Sequence, residues 1–287
     1  MRYFTVDAFA NGPFGGNPAG VVLLGNCGFP AEETMIKIAA ELRYSETAFV
    51  QQNASAEFTV RYFTPVAEVD LCGHATIASF SVLRDEKIVL SGTKCINHTL
   101  AGDLEVIVGE EIMMQMATPK VLGAVEDIDR LHQIMGAAHI AADPAQQNIS
   151  LQPQIVSTGL PDIIMPVGGI EELNALDPDM PALYALSAEL NVVGVHAFAL
   201  SDDGYTAHVR NFAPLYDIPE ESATGTANAA LTYYLYLNNI IQPGAKCSFM
   251  QGEAMKRPSV VATELQLDGT VYVGGNSYIL TRGEMCL

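Results

Sequence analysis

Apolar and polar residues alternate along much of this chain, and only a few stretches carry the three-to-four spacing of a helix. Met1-Arg2-Tyr3-Phe4-Thr5-Val6-Asp7 alternates as a half-buried strand does. The pattern predicts further strands near 19–24, 46–51, 57–64, 87–99, 102–108 and 111–117. Helices are predicted near 31–42, where Met35, Ile36, Ile38, Ala39 and Leu42 recur at helical spacing, and near 73–85. The second half predicts strands near 154–158, 162–167, 193–200, 204–213, 246–250, 258–266, 269–274 and 277–282. Helical material is predicted near 170–190 and 224–238.

The order repeats. Gly16-Asn17-Pro18-Ala19-Gly20-Val21-Val22 matches Gly159-Leu160-Pro161-Asp162-Ile163-Ile164, Ala48-Phe49 matches Ala197-Phe198, and Phe63-x-Pro65 matches Phe212-x-Pro214. Phe49 to Phe63 and Phe198 to Phe212 both span 14 residues. Such self-similarity indicates two copies of one fold. Strands outnumber helices, so each copy is expected to be α+β, a mostly antiparallel, barrel-like curled sheet around a central helix. Thr118-Pro119-Lys120 ends a strand and Glu126-Asp127-Ile128-Asp129 opens a helix, which puts the boundary at 118/119 and the domains at 1–118 and 119–287.

Charge narrows the partners. Lys and Arg number 14 against 33 Asp and Glu, a net charge of -19, which opposes general attraction to nucleic acid or to an anionic membrane. No apolar run approaches the roughly 20 residues that span a bilayer. The start lacks the pattern of a signal peptide. The five cysteines are scattered and form no Cys-x-x-Cys pair, so neither a disulfide framework nor a zinc knuckle is indicated, and a reducing cytoplasm is the expected compartment. Exposed strand edges make a homodimer a natural expectation.

Two turns stand out as candidate chemistry. Phe63-Thr64-Pro65 leads through an acidic loop to Cys72-Gly73-His74-Ala75-Thr76, and Phe212-Ala213-Pro214 leads to Thr224-Gly225-Thr226-Ala227-Asn228. A glycine turn opening a helix points backbone N–H groups at whatever binds there, and an anion suits the positive end of the helix dipole. Ordinary capping by Asp70, Ser222 or Thr226 is the plainer alternative for any one such turn. Glu46, just before an apolar strand, reads as a solvated strand-edge residue or, if buried, as an acid/base whose pKa rises. His74 is a satisfied core histidine or a donor to substrate. Cys72 is a small buried residue or a thiolate favoured by the helix start.

Gly16-Asn17-Pro18-Ala19-Gly20-Val21, Ser45-Glu46-Thr47-Ala48-Phe49, Cys72-Gly73-His74-Ala75-Thr76 and Pro219-Glu220-Glu221-Ser222-Ala223-Thr224-Gly225-Thr226-Ala227 together resemble the PhzF-like isomerase family, named for phenazine biosynthesis, across nearly the whole chain. The resemblance implies a diaminopimelate epimerase-type fold and an active site in the cleft between two domains. It also implies cofactor-free, metal-free isomerisation of a small anionic carboxylate, a dihydro-hydroxyanthranilate in characterised members. The position of Glu46 would then shuttle a proton. His74 and Glu221 would bind or orient substrate, and Asn17, Cys72, Gly73, Thr224, Gly225 and Thr226 would line its site. Two departures stand out. Glu221-Ser222 replaces the family's Asp-Pro, and Thr224 stands where the related two-cysteine epimerases need a second thiol, which disfavours their mechanism. An amino-acid-type racemase and a catalytically silent carboxylate-binding protein are the competing readings.

Overall fold

The computed structural model describes residues 1–137 and 151–286. Packing divides the chain into two units, Met1–Gln115 with Gly274–Leu287, and Met116–Val273. The last strand therefore packs with the first unit, although sequence order places it in the second. Its partner is the first strand of the chain, from Arg2↔Glu284 to Ala8↔Ser277.

The first unit contains β1 (Arg2–Ala8), β2 (Asn17–Leu23), α1 (Glu32–Leu42), β3 (Thr47–Ala54), β4 (Glu57–Phe63), β5 (Glu68–Val69), α2 (Gly73–Asp85), β6 (Thr93–Thr99), β7 (Gly102–Val108) and β8 (Ile112–Gln115). The second contains β9 (Lys120–Ala124), α3 (Ile128–Met135), β10 (Gln154–Ser157), β11 (Pro161–Pro166), α4 (Ile170–Ala175), α5 (Met180–Leu190), β12 (Val195–Leu200), β13 (Ala207–Ala213), β14 (Ile218–Glu221), α6 (Gly225–Leu237), β15 (Lys246–Gln251) and β16 (Ser259–Leu265). Then come β17 (Val271–Gly275) and β18 (Ser277–Glu284). The predicted strand near 87–99 is shorter than expected, because Lys87 and Gly92 both adopt positive φ and hold 87–92 as turns.

Each unit repeats one pairing pattern. From β1 to β7 the ladder runs antiparallel, parallel, antiparallel, parallel, antiparallel through β1–β2, β2–β3, β3–β4, β4–β6 and β6–β7. The steps β10–β11, β11–β12, β12–β13, β13–β15 and β15–β16 follow the same series.

A helix lies inside each sheet. α2 is buried without interruption from His74 to Leu83 and touches β1, β2, β3, β7, β8 and β18, strands from both ends of its sheet, so the sheet must curl around it. Phe80 on α2 meets Phe58 edge to face at 5.6 Å; truncating so enclosed a ring to alanine costs about 3–5 kcal/mol. α6 holds the same place in the second unit, against β10, β11, β12 and β16.

One expected match is displaced by a residue. Thr47 pairs with Phe63, but Val195, not His196, pairs with Phe212. The counterpart of Phe49 is therefore Ala197. Phe49 faces α1 beside Phe63, whereas Phe198 faces α6, because a slip of one residue turns a strand side chain to the other face. Backbone bonds fix the same register: Gly20 N–H donates to Glu46 O at 3.1 Å and Ile163 N–H to Gly194 O at 3.0 Å. Glu46 thus corresponds to Gly194, where an added Cβ would lie 1.8 Å from Phe212 O. One copy has a carboxylate at this point and the other has no room for any side chain.

Candidate active site

The opening of α2 collects the first set of candidate residues. Cys72 is the N-cap, with extended backbone (φ -138°, ψ 115°), and its side chain makes no capping hydrogen bond; the same holds for Thr224 at the start of α6. Neither N-cap side chain therefore shapes its turn by capping. Gly73 and Thr226 are partly exposed, flanked by buried Cys72, His74 and Gly225. An added Cβ on Gly73 would meet only Met114 Cε, at an ordinary 3.7 Å, and its φ is not in the left-handed region. The protein's own packing gives no reason for a glycine there. Gly16 differs: it has φ +63° and would press a Cβ to 2.2 Å from Ala8 O, so the loop leading into β2 requires it.

Three side chains converge beside Gly73. Glu46 Oε2 lies 3.2 Å from His74 Nε2, and Cys72 Sγ lies 3.5 Å from His74 Nδ1. Asn17 approaches Nδ1 through its amide at 3.4 Å. Asp7, wholly buried in β1, accepts from Phe14 N–H at 2.9 Å and so holds the loop that delivers Asn17. Sequence reasoning passed over Asp7; a charged residue inside an apolar strand was the available signal.

Electrostatics assign the protons. Burial alone would raise the Glu46 carboxyl, but the hydrogen bond and charge of His74, with help from Ser45 and Cys72, outweigh it and hold the carboxyl below its usual 4.5. This corrects the expectation that burial would raise it. At His74 burial opposes the charged ring, yet the Cys72 sulfur and Glu46 prevail and its pKa lies well above 6.5. Burial pushes the Cys72 thiol up, against the thiolate reading. The Cys72 sulfur is the larger of the two influences that favour the charged ring, and the Glu46 carboxylate acts beside it. The structure sets Asn17 Nδ2 at Nδ1, but an imidazolium donates from both nitrogens, so the flipped amide, oxygen toward Nδ1, is the assignment that fits a charged ring. Glu46, Cys72 and His74 also offer three donor atoms within 4.8 Å of one another, a set able to hold a metal ion.

The second unit builds its turn differently. Thr224 Oγ1 donates to Glu221 Oε2 at 2.6 Å and accepts from Gln251 Nε2 at 3.1 Å. Gln251 also donates to Glu221 O at 2.8 Å and accepts from Thr224 N–H at 3.1 Å, a clamp across the turn. Asn228 joins Gln251 Oε1 to Thr224 O at 2.8 and 2.9 Å, and its own oxygen meets His196 at 3.3 Å. Burial lowers His196 to about 4, so this ring is neutral. Gln251 and His196 were not anticipated, and Asn228 was seen only as the end of the turn; Asn228 and His196 are polar residues within buried runs, whereas Gln251 ends an alternating strand.

A doubled brace supports the approach to each turn. Arg61 grips Glu68 through Nε and Nη2, at 2.6 and 2.5 Å, with its guanidinium 5.2 Å from the Phe63 ring centre. Arg210 grips Glu220 at 2.9 and 2.8 Å and lies 4.8 Å over Phe212. Away from these residues, a cavity of about 440 Å³ in the first unit is lined by Leu23, Leu24, Cys27, Val50, Phe58 and Leu83, at the opposite end of α2 from Gly73. None of the candidate residues reaches it.

The family model described as "Phenazine biosynthesis-like protein" (PhzC-PhzF) matches residues 6–283. The chain belongs to this family. It is 33% identical to an uncharacterized isomerase of Clostridium acetobutylicum, over 99% of this chain and 97% of that one. To an uncharacterized isomerase of Deinococcus radiodurans it is 35% identical, over 98% and 94%. These relatives and the family make it an isomerase. A Bacillus anthracis phenazine biosynthesis protein of the PhzF family shares the fold, with TM-score 0.84 and 24% identity over 100% of this chain and 99% of that one. The fold extends to a hydroxyproline epimerase of Agrobacterium vitis, with TM-score 0.61 and 14% identity over 99% and 91%. No helix among the described residues is long and apolar enough to cross a membrane.

Proposed function

We propose that this PhzF-family isomerase moves a proton and a double bond on a small carboxylate substrate without a cofactor, with Glu46 as the acid/base. The observation that carries the reading is the Glu46–His74 pair, 3.2 Å apart, beside a helix start whose glycine the fold does not need. Glu46 takes a proton from carbon. The released C–H electron pair forms the new C=C, the old π pair moves onto the far carbon with its charge delocalised into the conjugated carboxylate, and Glu46 returns the proton to that carbon. His74, charged, stabilises the negative charge that develops in between. Asn17 and Cys72 border the ring, Gly73 offers its backbone to the substrate, and Glu221, Thr224, Gly225 and Thr226 are assigned to binding the anionic substrate. All five cysteines are free, which suits a reducing cytoplasm.

The test is deuterium uptake from D₂O into a panel of small conjugated carboxylates. Glu46→Gln, nearly the same size, is expected to keep the fold and lower uptake at least ~100-fold. Uptake at the wild-type rate would remove Glu46 from the reaction. Cys72, 3.5 Å from His74, supports a second reading in which a thiol does the proton transfer. Against it stand the raised thiol and the engagement of the Thr224 hydroxyl with Glu221. Cys72→Ser is expected to keep activity within about tenfold; complete loss together with inactivation by thiol alkylation would favour the cysteine route.

A further inference from the structure

The corrected register pairs Asp162 with Ala19, just as it pairs Gly194 with Glu46. The second copy therefore carries its own acid on β11, where the first has a methyl group. Asp162 stands two residues before Ile164, which packs against α6, so by strand alternation it shares the α6-facing side. It is 2% exposed, and its Oδ1 has no hydrogen-bond partner. At the end of the neighbouring β10, Thr158 Oγ1 donates to Thr226 O at 2.9 Å and ties that end of the sheet to the first turn of α6.

We propose that Asp162 is a positioning residue, a buried carboxyl on the α6-facing side of β11 that shares the α6 opening with Glu221 and governs how receptive that opening is to an anion. The inference deepens the reading above and rests on it for the anionic character of the ligand. Burial first, and the charge of Glu221 second, push Asp162 up to about 8. Among the described residues, no charge on the packed elements offsets this. β10 (Gln154–Ser157) and α6 (Gly225–Leu237) contain no charged residue, His196 on β12 is neutral, and Glu220 on β14 is engaged by Arg210. Above that pH the second carboxylate would face Glu221 beneath the same helix start, and affinity for an anion should fall.

The experiment uses the full chain, ¹³C-labelled at the Asp and Glu carboxyl groups, with Asp162→Asn as assignment and control. We expect one Asp signal that titrates near pH 8 and disappears in Asp162→Asn, and a Glu221 signal that responds to the same step only in the wild type. An Asp162 signal already ionised at pH 6, or a Glu221 response unchanged in Asp162→Asn, overturns the coupling. In the same samples benzoate is expected to shift the Gly225 and Thr226 amide signals, with affinity falling several-fold above pH 8 in the wild type and not in Asp162→Asn. Amides that do not move, or equal pH dependence in both proteins, overturn the control of anion binding. None of these signals requires turnover, so their failure is distinct from a failure of Glu46 in the deuterium test.

Discussion

Gly73→Ala separates a glycine kept for a ligand from one kept for the fold. The new methyl would touch Met114 Cε at 3.7 Å and nothing else. Alanine in place of glycine in a helix is worth about 0.5–1 kcal/mol, and about 1 kcal/mol moves Tm by roughly 2–4 °C in a protein of this size. The variant should therefore melt at the same temperature as the wild type or a few degrees higher. Function should move the other way. If a substrate carboxylate lies against the backbone N–H groups here, the methyl displaces it from a charge-assisted hydrogen bond worth about 1.5–3 kcal/mol, and KM rises roughly 10- to 100-fold. Thermal melting and steady-state kinetics on one preparation give both numbers. An unchanged KM would remove the ligand from Gly73, and a fall in Tm would show that the glycine is structural. Gly194→Ala is the contrast, since its Cβ would lie 1.8 Å from Phe212 O, and it should unfold at lower temperature.

The Arg210–Glu220 brace gives a stability prediction. Both side chains are largely buried, at 12% and 16% exposure, and Arg210 also donates to Leu173 O and Leu176 O at the end of α4. Arg210→Met should cost about 3 kcal/mol in urea unfolding, and Arg210→Lys should recover little because an ammonium cannot grip a carboxylate at two points; a loss under about 1 kcal/mol would show the brace to be idle. The Glu46–His74 pair predicts a pH window. Glu46 is depressed, so its contribution is present above 4.5 and is lost as pH falls through its folded value; His74 is raised, so its contribution is present below 6.5 and is lost as pH rises through its folded value. The pair should stabilise most between pH 4.5 and 6.5, and the stability difference between wild type and His74→Gln, followed by urea titration, should shrink on both sides of that window. A difference constant from pH 4 to 9 would refute the ion pair.

The pattern of apolar positions revealed the curled sheets, their central helices and the repeat, because period-two and helical spacings are local properties. Register is not local. Phe49 and Phe198 share letters and spacing, yet strand pairing sends them to opposite faces, and only the ladder reveals that Gly194 stands opposite Glu46. β18 was legible as a strand, but not as the partner of β1, since nothing in Ser277–Glu284 names a neighbour at the opposite end of the chain. The braces have a legible signature: Arg61-Tyr62-Phe63-Thr64-Pro65 and Arg210-Asn211-Phe212-Ala213-Pro214 share Arg-x-Phe-x-Pro, with a glutamate seven and ten residues after the arginine. The direction of the Glu46 shift could not come from composition, because burial and His74 oppose each other and only a distance decides between them.

The two copies stayed alike where they carry load and diverged where they carry titratable groups. Arg61–Glu68 and Arg210–Glu220 kept the same two-point grip, and Thr76 and Asn228 both return a hydrogen bond to the N-cap carbonyl, at 2.7 and 2.9 Å. Around these fixed points the titratable groups changed places. The first copy has Glu46, His74 and Cys72 where the second has Gly194, Thr226 and Thr224, and the second has Asp162 where the first has Ala19. Two identical acid/base sets would leave the direction of proton transfer unspecified. A charged pair in one copy, with hydroxyls and a buried carboxyl in the other, leaves the proposed proton transfer to the first copy alone.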